Sequence, residues 1–204
     1  MRTSRMESFS DGVIAVAITL LVLGIRVPSP AGHPHQSLLY ALGQEWPSYA
    51  AYVTSFITIG IIWINHHAMI DRLAQSDRGI LIMNLLLLMT IGILPFATNL
   101  MATYLRASSG QALAAAVYGG SFLLMSVAFA SLNRAILLHK AHLIGESLTL
   151  QQRQAVLKRS VIGLIPYAAA TALAFVSPYI TLAICAVVAA YYAHPAASGG
   201  EVAA

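Results

Sequence analysis

Charge is what this sequence has least of. Only 9% of its 204 residues are Asp, Glu, Lys or Arg, while 58% are hydrophobic. An average soluble domain is about 25% charged. Eleven basic and seven acidic side chains cannot coat a soluble core of this size. Intrinsic disorder is excluded as well, because it needs low hydrophobicity and high charge. Cysteine is almost absent. The lone Cys185 allows no intrachain disulfide and no cysteine-based metal motif. It reads as a small apolar residue in a helix. What remains is a chain whose solvent is the bilayer.

Long apolar runs are what the sequence has in their place. A spanning helix needs about 20 mostly apolar residues. Six candidates meet or approach that length: Met6–Ile25, Pro47–His67, Gly79–Leu105, Gln111–Leu138, Val156–Val176 and Pro178–Tyr192. The last is short, and Ser177-Pro178 before it suggests a tight helical hairpin. The net charge of +4 comes from basic residues clustered in short loops. They read as orientation signals, not as a nucleic-acid interface. With the N-terminus inside, the inner segments hold Arg2, Arg5, Arg72, Arg78, Arg134, Lys140, Arg153, Lys158 and Arg159. The outer segments hold Arg26 and Arg106, so the balance is nine against two. The expected fold class is therefore an all-α integral membrane protein with six transmembrane helices per chain and both termini cytoplasmic.

A cleaved signal peptide is the rival reading of the first run. Arg2 and Arg5, an apolar stretch and Ser29-Pro30-Ala31 favour it; Glu7 and Asp11 beside and within the run oppose it. Residues 27–46 read as an exposed extracytoplasmic loop, in which His33 and His35 are not expected to hold a metal. Residues 139–154 read as the main cytoplasmic loop, with a possible interfacial helix. Residues 1–194 are expected to form one six-helix domain, and 195–204 a disordered tail.

The first helix is the informative one. At about 100° per residue, Arg5, Phe9, Gly12, Val16, Thr19, Leu20 and Leu23 share one face. Asp11 falls on the far side, six residues from Arg5, so the two cannot readily pair along the helix. A carboxylate at that depth needs a partner from another element. Asn65, His66, His67 and Asn84 lie at a similar depth, and a cluster of Ser10, Asp11, His66 or His67, and Asn84 is the expected arrangement. Such a cluster glues helices together; an ion-binding or proton-relay role is the alternative. Adjacent histidines point about 100° apart, so His66 and His67 do not suit one metal ion, and no metal site is expected here.

Arg5, Phe9-Ser10-Asp11 and the following Gly12-Val13-Ile14-Ala15-Val16-Ala17-Ile18-Thr19-Leu20-Leu21 resemble the motif of the transmembrane protein 175 family. That family includes endolysosomal potassium channels. Trp63-Ile64-Asn65-His66-His67, Asn84-Leu85-Leu86 and Leu94-Pro95-Phe96 agree with it. Beyond Tyr104 the resemblance rests on span count. It implies a homotetramer in a prokaryotic inner membrane, with the first helix of each chain lining a central pore. It also implies a permeant potassium ion, no cofactor and no carbonyl filter. By position, the family's constriction falls on Val16, Leu20 and Leu23, and its hydroxyl layer on Thr19. Arg5 and the Phe-Ser-Asp motif would hold the pore helix against its neighbours.

The resemblance thus implies a potassium-selective channel gated by an apolar neck. A proton-coupled carrier using Asp11 and His66 or His67 is the second reading. An integral membrane enzyme would need a cluster of carboxylates, histidines or a nucleophile at one depth; only the Asp11–His67 region offers this, and it is read as lacking metal spacing, so no catalytic residue is expected. A non-conducting scaffold is the fourth.

Overall fold

The computed structural model describes residues 3–29, 37–145 and 149–194. His33, His35 and the 195–204 tail lie outside the described residues. Nine α-helices are described: α1 Thr3–Leu20, α2 Leu38–Gln44, α3 Trp46–Ile70, α4 Arg78–Gly92, α5 Leu94–Tyr104, α6 Gln111–Arg134, α7 Leu150–Ile162, α8 Leu164–Leu173 and α9 Pro178–Ala193. Among the described residues the β content is one isolated bridge, Leu73 with Ile144.

Five helical stretches are long and apolar enough to cross a bilayer: Thr3–Gly24, Trp46–Ile70, Arg78–Tyr104, Gln111–His139 and Leu150–Leu173. In the first, a 3-10 turn, Leu21–Gly24, extends α1. Helix α9 has 16 residues. At 1.5 Å per residue that is about 24 Å, short of a hydrocarbon layer of about 30 Å.

Prolines divide the long stretches. Pro95 lies in the first turn of α5, where its missing N–H separates α5 from α4 at Ile93. Pro166 lies in the first turn of α8, and the break falls at Gly163. Pro47 and Pro178 open α3 and α9, positions where a helix has no N–H bond to lose. The turn between α5 and α6 ends at Gly110 with φ 81°. A Cβ there would stand 3.0 Å from the Tyr104 ring, so only glycine suits it.

Two stretches expected as loops contain helix. Ser37 Oγ accepts the Tyr40 N–H and starts α2. Thr149 and Gln152 form a reciprocal capping box that starts α7 at Leu150, several residues before the expected span. Local capping is a short-range signal that an apolar-run search does not register.

Helix α6 is the scaffold, packing against α4, α5, α8 and α9. At Gly119 it meets α8 closely: a Cβ would lie 3.1 Å from Thr171 Oγ1 and 3.2 Å from its backbone nitrogen. Small residues permit such approaches between membrane helices. Hydroxyls tie the same core together. Ser55 Oγ lies 2.8 Å from Thr98 Oγ1 and 3.1 Å from the Tyr118 hydroxyl, all buried. Helix α1 stands at the margin, against α3, α4 and α5. The protein is a multi-pass, all-helical membrane protein with its first helix at one edge.

Candidate functional site: the first helix and its clasp

Helix α1 has two unlike faces. Met6, Ser10, Ile14, Ala17 and Leu21 are buried, at the three- and four-residue intervals of one helical stripe. The opposite face is open. Arg5, Phe9, Gly12, Val16, Thr19, Leu20 and Leu23, the seven residues that share a face by periodicity, are all exposed in the chain. Exposure is 57% for Val16, 44% for Leu20 and 76% for Leu23. An open apolar stripe beside a packed one requires lipid or another protein surface to cover it. Thr19 lies within that stripe. Its hydroxyl donates to the Val16 carbonyl at 2.9 Å, so its proton is used internally and its oxygen lone pairs stay outward.

The packed face is held by two polar seams near the end of α1 that carries Phe9-Ser10-Asp11. The inner seam is buried. Asn84 Nδ2 donates to Ser10 Oγ at 2.9 Å, and Ser10 donates in turn to the Met6 carbonyl at 2.8 Å. On its other side Asn84 Oδ1 lies 2.8 Å from His66 Nε2. Because Asn84 Nδ2 donates to serine, Oδ1 is the acceptor, and His66 carries its proton on Nε2 in this pair. All three side chains are almost completely buried, and His66 Nδ1 has no partner. Three spans meet at this one chain of hydrogen bonds.

The outer seam differs from expectation. Asp11 does not join the Ser10–Asn84–His66 chain. Its Oδ1 accepts from the Trp63 indole nitrogen at 2.8 Å. Asn65 is also elsewhere, donating to the Ile61 carbonyl. The two histidines separate, as adjacent helical residues must: His66 turns inward, and His67 lies over Glu7, with Nδ1 3.0 Å from Oε1. The His67 ring stacks on Trp63 at a centroid distance of 6.4 Å. Asp71, four residues beyond His67, places Oδ2 3.4 Å from Nε2.

Glu7, Trp63 as a hydrogen-bond donor and Asp71 were passed over by the sequence reading, yet their spacing carries the signal. Glu7 and Asp11 are four apart on α1; Trp63 and His67 are four apart on α3, and Asp71, the residue just past its end, continues the spacing. Two matching four-residue ladders are what facing helices need to zip together.

These features define a class: an integral membrane protein whose first helix is clasped on one side by polar seams and left with an apolar, threonine-bearing stripe on the other. Residues 5–95 match the family described as "Endosomal/lysosomal potassium channel TMEM175". A potassium channel of Streptomyces collinus is 42% identical over 93% of this chain and 91% of its own length. A solved structure, that of a lysosomal potassium-selective channel TMEM175 homolog from Chamaesiphon minutus, superposes with a TM-score of 0.83 at 37% identity. It covers 94% of this chain and 96% of the homolog. The chicken relative, named an endosomal/lysosomal proton channel, is 41% identical over 52% of this chain and 23% of its own. The chain belongs to the TMEM175 family of ion channels.

Proposed function

We propose that the protein is a potassium-selective cation channel, a homotetramer of six-span chains in a prokaryotic inner membrane with both termini cytoplasmic. Helix α9 is the sixth span, a short one, whose last turn carries Tyr191 and Tyr192, amphipathic rings that suit the membrane interface. Four copies of α1 surround the pore. The observation that carries this reading is the open stripe of α1, which four-fold assembly covers without leaving Thr19 against lipid.

Rings of Val16, Leu20 and Leu23 form an apolar neck, and such necks gate by dewetting. The outward lone pairs of four Thr19 hydroxyls offer oxygen ligands to a partly dehydrated ion. Larger alkali cations lose water more cheaply, so potassium is favoured over sodium. The clasp keeps α1 in register with α3 and α4 while its open face meets the pore. No cofactor is needed for this action; the permeant ion is the only ligand invoked.

The carrier reading through Asp11 and the histidines has less support. Asp11 is engaged by Trp63, His66 by Asn84, and His67 by Glu7, so the three belong to separate contacts and not to one relay. The test is direct. Val16→Asn and Leu20→Asn should wet the neck and raise unitary conductance in planar bilayers. Wild-type currents from both variants would remove these residues from the pore.

A further inference from the structure

Glu7, His67 and Asp71 present one ligand atom each, all within 4.8 Å of one another. They come from two helices, and they mix imidazole with carboxylate. Both ring nitrogens of His67 face a carboxylate oxygen, at 3.0 and 3.4 Å. A neutral imidazole has a single N–H and cannot donate to both. The two contacts together call for added positive charge, which either a second ring proton or a cation held by the carboxylates supplies. The His67 ring lies beside Trp63, with centroids 6.4 Å apart, and His67–Asp71 has the four-residue spacing of metal-binding helices.

We infer that Glu7, His67 and Asp71 form a site for a divalent transition cation of the zinc class, bridging α1 to α3. Imidazole with two carboxylates suits such borderline metals. Ligand atoms around a tetrahedral ion stand about 3.4 Å apart. The partly exposed carboxylates close the remaining gap by rotamer rotation. One ring nitrogen, Glu7 and Asp71 supply three ligands, and water completes the shell. The ion neutralises the two carboxylates and locks the base of α1 to α3, next to the Asp11–Trp63 contact. A metal held there stiffens the helix proposed to line the pore.

The site is tested by binding, separately from any current. Zinc is titrated calorimetrically into the untagged, purified full-length protein in detergent, and thermal unfolding is followed in parallel. The expected result is one saturable zinc per chain and a raised Tm. Glu7→Gln and Asp71→Asn should each weaken binding at least about tenfold, the loss typical of even an outer-shell partner. Each should also abolish the rise in Tm. The double variant His33→Ala/His35→Ala should bind zinc as the wild type does. No saturable zinc, or zinc that survives both carboxylate variants, would overturn the inference. Loss of zinc binding in the His33/His35 variant alone would overturn it too. If bilayer currents fail while this binding pattern holds, the channel reading falls and the metal site stands.

Discussion

Removing Asn84 should cost more than removing the serine it serves, and the two losses should couple. Asn84→Ala strips His66 of its Nε2 partner, and His66 Nδ1 already has none. A fully buried imidazole would then have no hydrogen bond at all. Leaving a buried donor unsatisfied costs about 1–3 kcal/mol, and the lost packing of the amide adds to it. Ser10→Ala orphans only one N–H of Asn84, which keeps its bond to His66. Its cost belongs at the low end of the same range. In bilayer proteins the coupling across one interhelical bond averages about 0.6 kcal/mol and reaches about 1.7. The double variant should therefore fall short of the sum of the singles by that amount. The assay is reversible unfolding in detergent at one fixed protein concentration, because assembly makes apparent stability concentration-dependent. Two results would refute the reasoning: costs that add to within about 0.3 kcal/mol, the range of independent sites, or a serine variant weaker than the asparagine one.

Thr19→Val keeps the shape of the stripe but removes its only exposed oxygen; the potassium-over-sodium permeability ratio should fall, as read from bi-ionic potentials, and an unaltered ratio would exclude Thr19 as a ligand. Asp77 couples acid to the loop between α3 and α4. Lys140 Nζ, 2.5 Å away, and the Ile80 N–H it accepts at 2.9 Å hold its carboxyl below the ordinary 3.8. A lowered carboxyl favours the charged folded form, so its stabilisation is present above that ordinary value and is lost as pH falls through the lower folded one. The thermal midpoint of the wild type should drop on acidification across that window, and Asp77→Asn should remove that part of the drop.

Much of α1 was legible because a helix imposes one angle per residue. Periodicity placed seven residues on one face, and the chain leaves all seven open. The existence of an interhelical partner for Asp11 was equally legible from the cost of a lone carboxylate in a bilayer. Its identity was not. Trp63 is a hydrogen-bond donor wrapped in apolar area, so its indole N–H does not stand out among apolar neighbours as an amide or imidazole does. Glu7 marks the membrane entry of α1 by its charge, but its ladder with Asp11 has meaning only once α3 is known to face it. The i, i+4 pair His67–Asp71 corrects the expectation that neither histidine has a carboxylate at metal spacing; the pair is present in the sequence itself. The start of α7 was displaced because Leu150–Ile162 is polar, and its capping box sits outside any apolar window. The Ser10–Asn84–His66 chain was visible as a set of residues at one depth; only packing could sort Asp11 out of it.

The central claim is that four open faces of α1 make a potassium pathway. It is tested most directly by the reversal potential of the purified protein in a planar bilayer, with potassium on one side and sodium on the other. The expected record is unitary steps that reverse well toward the potassium equilibrium potential. Saturable flux without unitary steps, or unitary currents that reverse at zero, would contradict it.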